Sequence, residues 1–327
     1  MLLEKQKFTL NDIENNIAIE AIRVTEAAAI ASYEFIGKGN EHDADQAAVT
    51  AMRSALSKMN IEGTVVIGEG ERDKAPMLYV GEKVGTGYGP KIDIALDPLE
   101  GTTICATGGP NSMAVIAMTE GGGLLNAPDV YMEKIAIGIP YKEQIIDLDN
   151  TPKQNLKNLA RIKKCDISDL TVVVLDRARH EELIAKLREA GARIMLIKDG
   201  DIAAVISTVH KDMPVDMYVG TGGAPEGVLA AAALTTIGGQ MMARLIFNED
   251  GERNRAKSMG INDLSRKYLV TDLAKGDNVM FAATGVTSGA ILDGVKIMPD
   301  GNITTNSLSM SSRYKTIRRI STEHIRK

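Results

Sequence analysis

Cysteine is scarce in this chain. Cys105 and Cys165 are the two present, too few for a disulfide framework or a thiolate zinc site, and both read as reduced bystanders. Histidine is scarce as well: His42, His180, His210 and His324 are scattered along the sequence, which disfavours a zinc hydrolase. No apolar run approaches the roughly 20 residues that span a bilayer. The start, Met1-Leu2-Leu3-Glu4-Lys5-Gln6-Lys7, lacks the basic-then-apolar layout of a secretory signal. No long basic block offsets the net charge of −5, so neither a nucleic-acid nor a membrane partner is expected. Neither the Walker lysine pattern nor the Rossmann glycine order occurs, and Gly85-Thr86-Gly87-Tyr88-Gly89 is too loose to be either. What remains, with 327 residues, 44% of them hydrophobic and 25% charged, is the profile of a cytoplasmic enzyme with two domains or one large layered one.

The most informative segment that is present is Asp97-Pro98-Leu99-Glu100-Gly101-Thr102-Thr103. It follows the apolar run Ile92 to Leu96, which predicts a short buried strand that Pro98 ends by withdrawing its backbone donor. Just past that strand stand two carboxylates three residues apart, a glycine and paired hydroxyls. Hard divalent cations such as Mg²⁺ and Mn²⁺ take oxygen ligands and keep positions open for water and phosphate. A rigid strand end is a good place to fix such ligands. A surface turn with solvated acids is the plainer alternative.

The first half of the chain reads as α+β. A helical stretch runs from about Asn11 to Phe35 and a second from about Asp45 to Met59. Strand-like pieces follow at Thr64 to Ile67, Met77 to Val80, Ile92 to Leu96 and Met113 to Met118, separated by glycine turns. After about residue 150 the rhythm changes. Thr151 caps a helix whose first position is Pro152. Then come strand Leu170–Leu175, helix Glu181–Ala190, strand Arg193–Ile197, helix Ile202–Val209, strand Val215–Val219 and helix Gly227–Ile237. That alternation predicts an α/β half with a parallel-type sheet. The expected division is an N-terminal domain, residues 1–165, carrying most of the metal ligands, and a C-terminal domain, residues 166–327, carrying substrate contacts and one ligand.

Further acids lie at element ends. Asp45 opens the second predicted helix, Glu69 and Glu71 follow a β-branched strand, and Glu226 sits in the turn Gly222-Gly223-Ala224-Pro225-Glu226-Gly227 ahead of an apolar helix. Each has an ordinary reading as a turn or first-turn acid. Taken together, Asp45, Glu69, Asp97, Glu100 and Glu226 supply oxygen ligands for two or three small cations, which bridged by a phosphate activate a water and stabilise the leaving oxygen. Thr102 can orient that water. Candidate substrate contacts are Arg177, Ala178 and Arg179, whose arginines make forked bonds to a second phosphate; Asp199, Gly200 and Asp201, whose acids accept from sugar hydroxyls; and Tyr131. The basic stretch Arg313 to Lys327 reads as a solvated strand face or tail, with intersubunit or effector contacts as its alternative.

With these residues assembled, the chain resembles a class II fructose-1,6-bisphosphatase, a family within the lithium-sensitive, metal-dependent phosphatases. The resemblance runs from about Ile17 to Arg319. It rests on Ala44-Asp45, Val66 to Glu71, Ala75 to Tyr79, Asp97 to Thr102, Asn126 to Asp129, Asp199 to Asp201, Gly222 to Gly227 and Thr316 to Ile320. It implies a layered α-β-α-β-α sandwich of the sugar-phosphatase type, a homo-oligomer (dimer or tetramer) and hydrolysis of the 1-phosphate of fructose 1,6-bisphosphate in gluconeogenesis. Carried over residue by residue, it implies metal ligands at Asp45, Glu69, Asp97, Glu100 and Glu226, for Mn²⁺ or Mg²⁺. It implies a catalytic hydroxyl at Thr102 and substrate contacts at Glu100, Gly101, Thr102, Tyr131, 177–179, 199–201 and Gly223. Some members also accept sedoheptulose 1,7-bisphosphate, so a side activity there is an expectation too. Relatives often carry a lysine in the loop before Asp45, where this chain reads Gly39-Asn40-Glu41-His42-Asp43-Ala44. An inositol phosphatase and a non-turning-over phosphosugar sensor are the rival readings.

Overall fold

The structure is a computed structural model describing residues 10–70, 77–138, 143–210, 213–276 and 278–325, with side chains from residue 17 onward. Glu71, and Ala75 and Pro76 of the Ala75 to Tyr79 block, lie outside the described residues. Strands and helices are numbered along the chain. One mixed sheet has the order β12 (Lys296–Ile297), β13 (Ile303–Ser311), β11 (Met280–Gly285), β4 (Met113–Glu120), β3 (Lys91–Glu100), β1 (Glu62–Ile67), β2 (Lys83–Val84), with β14 (Thr316–His324) on the other side of β13. The second has the order β10 (Lys267–Leu269), β9 (Gln240–Ile246), β5 (Tyr131–Ile137), β8 (Met217–Gly223), β6 (Thr171–Leu175), β7 (Arg193–Ile197).

Alternation along the strands assigns their faces. In β4, Ala114, Ile116 and Met118 join α1 (Leu10–Tyr33) and α2 (Glu41–Leu56) in one core, whereas Met113, Val115 and Ala117 turn inward to a second. In β6, Val173 faces that same inner core, and Val172 and Val174 face a third with α4 (Pro152–Lys163) and α5 (Glu181–Glu189). Between the sheets lie α6 (Asp201–Ser207) and α7 (Ala224–Ile237), with α3 (Thr102–Thr107) beside α2, and α8 (Asp250–Ser258) and α9 (Val270–Leu273) feeding the inner core. From Gly227 to Leu234 every residue of α7 is buried. A helix apolar on all sides is one covered on all sides, and the run Ala230 to Ala233 keeps both sheets close. The layers are therefore α-β-α-β-α.

Several elements depart from the sequence reading. The sheets cross the expected 165/166 division in both directions: β5 lies in the second sheet and β11 to β14 in the first. Because β5 enters beside β8, the second sheet is parallel only across β7, β6 and β8 and antiparallel elsewhere. Residues 77–80 form no strand; Leu78 has φ +56°, and its amide bonds the Glu82 carboxylate. Helix α2 begins at Glu41, not Asp45, because Asn40 caps it with its side chain on the Asp43 amide at 3.1 Å. Pro98 does not end β3. The strand continues to Glu100 through an irregularity in its pairing with β4 between Asp97 and Glu100, the bulge setting that tolerates a proline.

Candidate active site

That bulge matters for chemistry. In a regular strand, residues three apart point to opposite faces. Here Leu96 and Leu99 both enter the outer core, so the extra residue has reversed the phase, and Asp97 and Glu100 turn inward together, close enough for the charge of Asp97 to act on Glu100. Asp97 Oδ1 also accepts from the Leu99 amide at 3.0 Å, closing the turn that directs it. Gly101 follows at φ +77°, a left-handed conformation that glycine takes without strain. Thr102 is thereby the first residue of α3, half-buried.

The other acids arrive from separate elements. Asp45 comes from the second turn of α2, Glu69 from just past β1, Asp199 and Asp201 from the turn between β7 and α6, and Glu226 from the first turn of α7. Carboxylate oxygens of Glu100, Asp201 and Glu226 lie within 4.8 Å of one another. Burial, then the charges of Asp97, Asp45 and Asp129, raises Glu69 well above an ordinary glutamate. Burial likewise lifts Asp97 from 3.8 to about 7, with Asp45 and Asp199 adding to it. Burial and Asp201 bring Glu226 from 4.5 to about 7, and Glu100 is raised by burial and by Asp97, Asp201, Glu226 and Asp199. Asp45 and Asp199 are raised by burial too. Glu69, Asp97, Glu100, Asp199 and Glu226 thus each feel a neighbouring carboxylate's charge. Carboxylates from distant parts of the chain are brought near one another.

Two lysine and tyrosine contacts qualify that cluster. The Lys134 ammonium, 1% exposed on β5, binds Asp201 Oδ2 and donates to the Gly223 carbonyl at 2.9 Å. The Tyr218 hydroxyl donates to the same Asp201 oxygen at 3.2 Å. Asp201 is therefore neutralised from within the protein. Glu226 is the reverse case: its Oε2 is buried with no partner among the described residues. An added Cβ on Gly223 would stand 2.0 Å from that oxygen, so glycine is what leaves it room. A purely oxygen donor set with an orphaned, buried carboxylate oxygen fits a hard divalent cation; Glu100 and Glu226 are the members of the 4.8 Å group without a lysine partner, and Asp45, Glu69 and Asp97 could add further oxygens.

The candidate substrate contacts lie on β5, on the segment after β6 and on the segment leading into α6. Arg177 acts on the charge of Asp199, and the Arg179 guanidinium stacks on Tyr131 with 4.9 Å between its carbon and the ring centroid. Arg179 also donates twice to the Thr221 carbonyl, at 3.0 and 2.8 Å. Ala178 opens the turn between these arginines and His180, and Gly200 takes φ +87° where the chain enters α6. His180 and Lys134 escaped the sequence reading. His180 Nδ1 lies 2.8 Å from the Leu175 carbonyl, and its Nε2 accepts from the Thr221 amide at 2.8 Å. One nitrogen must donate and the other accept, so the ring is neutral, and burial keeps its pKa low. The signal for Lys134 was available: Met132, Lys134 and Ala136 share a strand face that is otherwise apolar.

The chain is similar to known proteins along almost its whole length. A family model described as bacterial fructose-1,6-bisphosphatase, glpX-encoded, matches residues 15–324. Fructose-1,6-bisphosphatase 1 class 2 of Escherichia coli strain K12 is 45% identical over 326 residues, covering 95% of this chain and 96% of that protein. A D-fructose 1,6-bisphosphatase class 2/sedoheptulose 1,7-bisphosphatase of Trichodesmium erythraeum is 43% identical over 337 residues, covering 96% and 97%. An inositol monophosphatase structure from Anabaena (Nostoc) shares 14% identity at a TM-score of 0.31, over 60% of this chain and 71% of that one, too slight a likeness to bear weight.

Proposed function

We propose a reaction and a division of labour for this chain from one premise: it belongs to the family of bacterial, glpX-encoded fructose-1,6-bisphosphatases. It is a phosphatase that hydrolyses fructose bisphosphate. Our own reading is that the bond cleaved is that of the 1-phosphate, that Mn²⁺ or Mg²⁺ serves the reaction, and that the enzyme is a cytoplasmic homo-oligomer. Sedoheptulose 1,7-bisphosphate, named for a relative, is a second candidate substrate. The observation that supports the metal most is the buried, unpartnered Glu226 oxygen amid carboxylates that repel one another.

In this reading Asp45, Glu69, Asp97, Glu100 and Glu226 hold the cations. When bound, divalent cations supply charge neutralisation at the phosphoryl oxygens and a lowered pKa for an attacking water. The Thr102 hydroxyl would orient that water toward phosphorus. Gly101 lets the main chain approach the phosphate. Tyr131, Arg177 and Arg179 grip the second phosphate, the stacked guanidinium being already aligned. Asp199 and Asp201 accept from sugar hydroxyls, and the ion pair with Lys134 holds Asp201 out of the cation shell.

The test is phosphate release from fructose 1,6-bisphosphate by purified protein, with Mn²⁺ or Mg²⁺ and after chelation, alongside inositol 1-phosphate. Turnover of the fructose ester that disappears with chelator and returns with cation is the expected result. Undiminished turnover in chelator would remove the metal, and preference for the inositol ester would reassign the substrate.

A further inference from the structure

Strand β14 is left with one side open. Nine residues long, it is paired along β13, and among the described residues no strand lies on its other edge. An edge of that length presents a row of backbone donors and acceptors that proteins normally cover or disrupt. The strand also carries apolar surface facing solvent: Ile317 is 56% exposed, and Ile325, just past the strand end, is 77% exposed. Its two faces are distinct. Ile320 packs on the outer core and His324 reaches Thr305 at 3.0 Å, so even-numbered residues face α1. Arg319 reaches the Ile291 carbonyl at 3.2 Å, so odd-numbered residues face the other way.

We propose that this edge joins two copies of the chain, with β14 pairing antiparallel to β14 of a second copy about a two-fold axis at Ser321. The register follows from complementarity. With Ser321 on the axis, Arg319 stands opposite Glu323 of the second copy and Ile317 opposite its Ile325, all on one face. On the other face Ile320 meets Thr322, and Arg318 meets His324, whose ring lies 3.8 Å from the Glu26 carboxylate of its own chain. Shifting the axis to Ile320 sets Ile317 against Glu323, and shifting it to Arg319 sets arginine against arginine. Opposite charges and apolar pairs across strands stabilise a sheet, and like charges directly opposed destabilise it. The Ser321 register is the one that satisfies both exposed isoleucines and the charges together. A two-fold interface of this kind uses the same patch on both copies, and its main-chain bonds extend the first sheet across the pair.

This inference deepens the homo-oligomer reading by naming a surface for it, and one experiment separates the two. The full chain is prepared with Cys165→Ser, Cys105 being buried, and Ser321→Cys is added. A short thiol-to-thiol linker should convert most of the protein to covalent dimer. The same reaction on Arg318→Cys should not, since that register sets the two copies of residue 318 six positions apart, about 20 Å at ~3.3 Å per residue. Ile317→Lys with Ile325→Lys, which opposes lysines at both apolar contacts, should lower the mass seen by light scattering while phosphate release continues. A wild-type protein with the mass of one chain overturns both the oligomer and the surface. An oligomer that neither cross-links at residue 321 nor responds to the paired lysines overturns the surface alone.

Discussion

Lys134 shows how much one side chain can decide in a cluster of acids. Buried at 1% exposure against Asp201, it compensates a carboxylate whose other neighbours are the Tyr218 hydroxyl and the acids Glu100, Glu226 and Asp199. Removing one partner of a buried pair leaves an unpaired charge, so Lys134→Met is expected to destabilise the protein by about 3–5 kcal/mol in chemical denaturation. A loss under about 1 kcal/mol would show that solvent reaches the pair and that the countercharge is dispensable. Thr102 lies at the opposite extreme, a half-buried hydroxyl with little to contribute to stability. Thr102→Ala should leave the melting temperature and KM near wild type and lower kcat by about 100-fold, the signature of a contact made in the transition state. Unchanged kcat would take the hydroxyl out of the reaction. The sequence marked Thr102 because a hydroxyl next to Glu100 and Gly101 is a local pattern. It passed over His180, whose two backbone partners lie 5 and 41 residues away.

At the scale of elements, the site is made by three local features. A bulge at Pro98 turns Asp97 and Glu100 to one face, Gly101 bends β3 into α3, and β8, in place of the turn expected at Gly222, stays paired with β5 through Gly223 and passes directly into α7, with Glu226 at its head. The last is directly testable. A methyl on Gly223 collides with Glu226 Oε2, so Gly223→Ala should weaken Mn²⁺ binding by at least about 10-fold in calorimetric titration, with far-ultraviolet circular dichroism intact. Wild-type affinity would place Glu226 outside the cation shell. Helices and the longer strands were legible because their apolar periodicity is local: Thr151 and Pro152 start α4 as their residue types require. Pro98 was read as a stop because proline withdraws a donor. Only the pairing with β4 shows that the donor was not needed there.

For the whole molecule, the acid cluster couples stability to pH and to cations. Asp97 and Glu226 titrate near 7 when folded, against 3.8 and 4.5 for the ordinary groups. Between about pH 4 and 7 the folded state therefore holds more protons than the unfolded one. By linkage, stability falls as pH rises through that window and levels off above it. The chelated protein should lose thermal stability from pH 5 to pH 8, and saturating Mn²⁺ or Mg²⁺ should abolish the decline by offsetting the repulsion and binding only the folded state. A flat melting temperature in chelator would mean that the carboxylates do not share a dry cavity. By itself the sequence determined the mixed α/β class, the acid-bearing motifs and the family, since periodicity, turn chemistry and motif are properties of neighbouring residues. Only the tertiary structure decided that β5 crosses into the second sheet, that β11 to β14 return to the first, and that Lys134 disarms Asp201 while Glu226 is left unpartnered. Strand order and desolvation depend on which distant segments meet, and no local pattern encodes that.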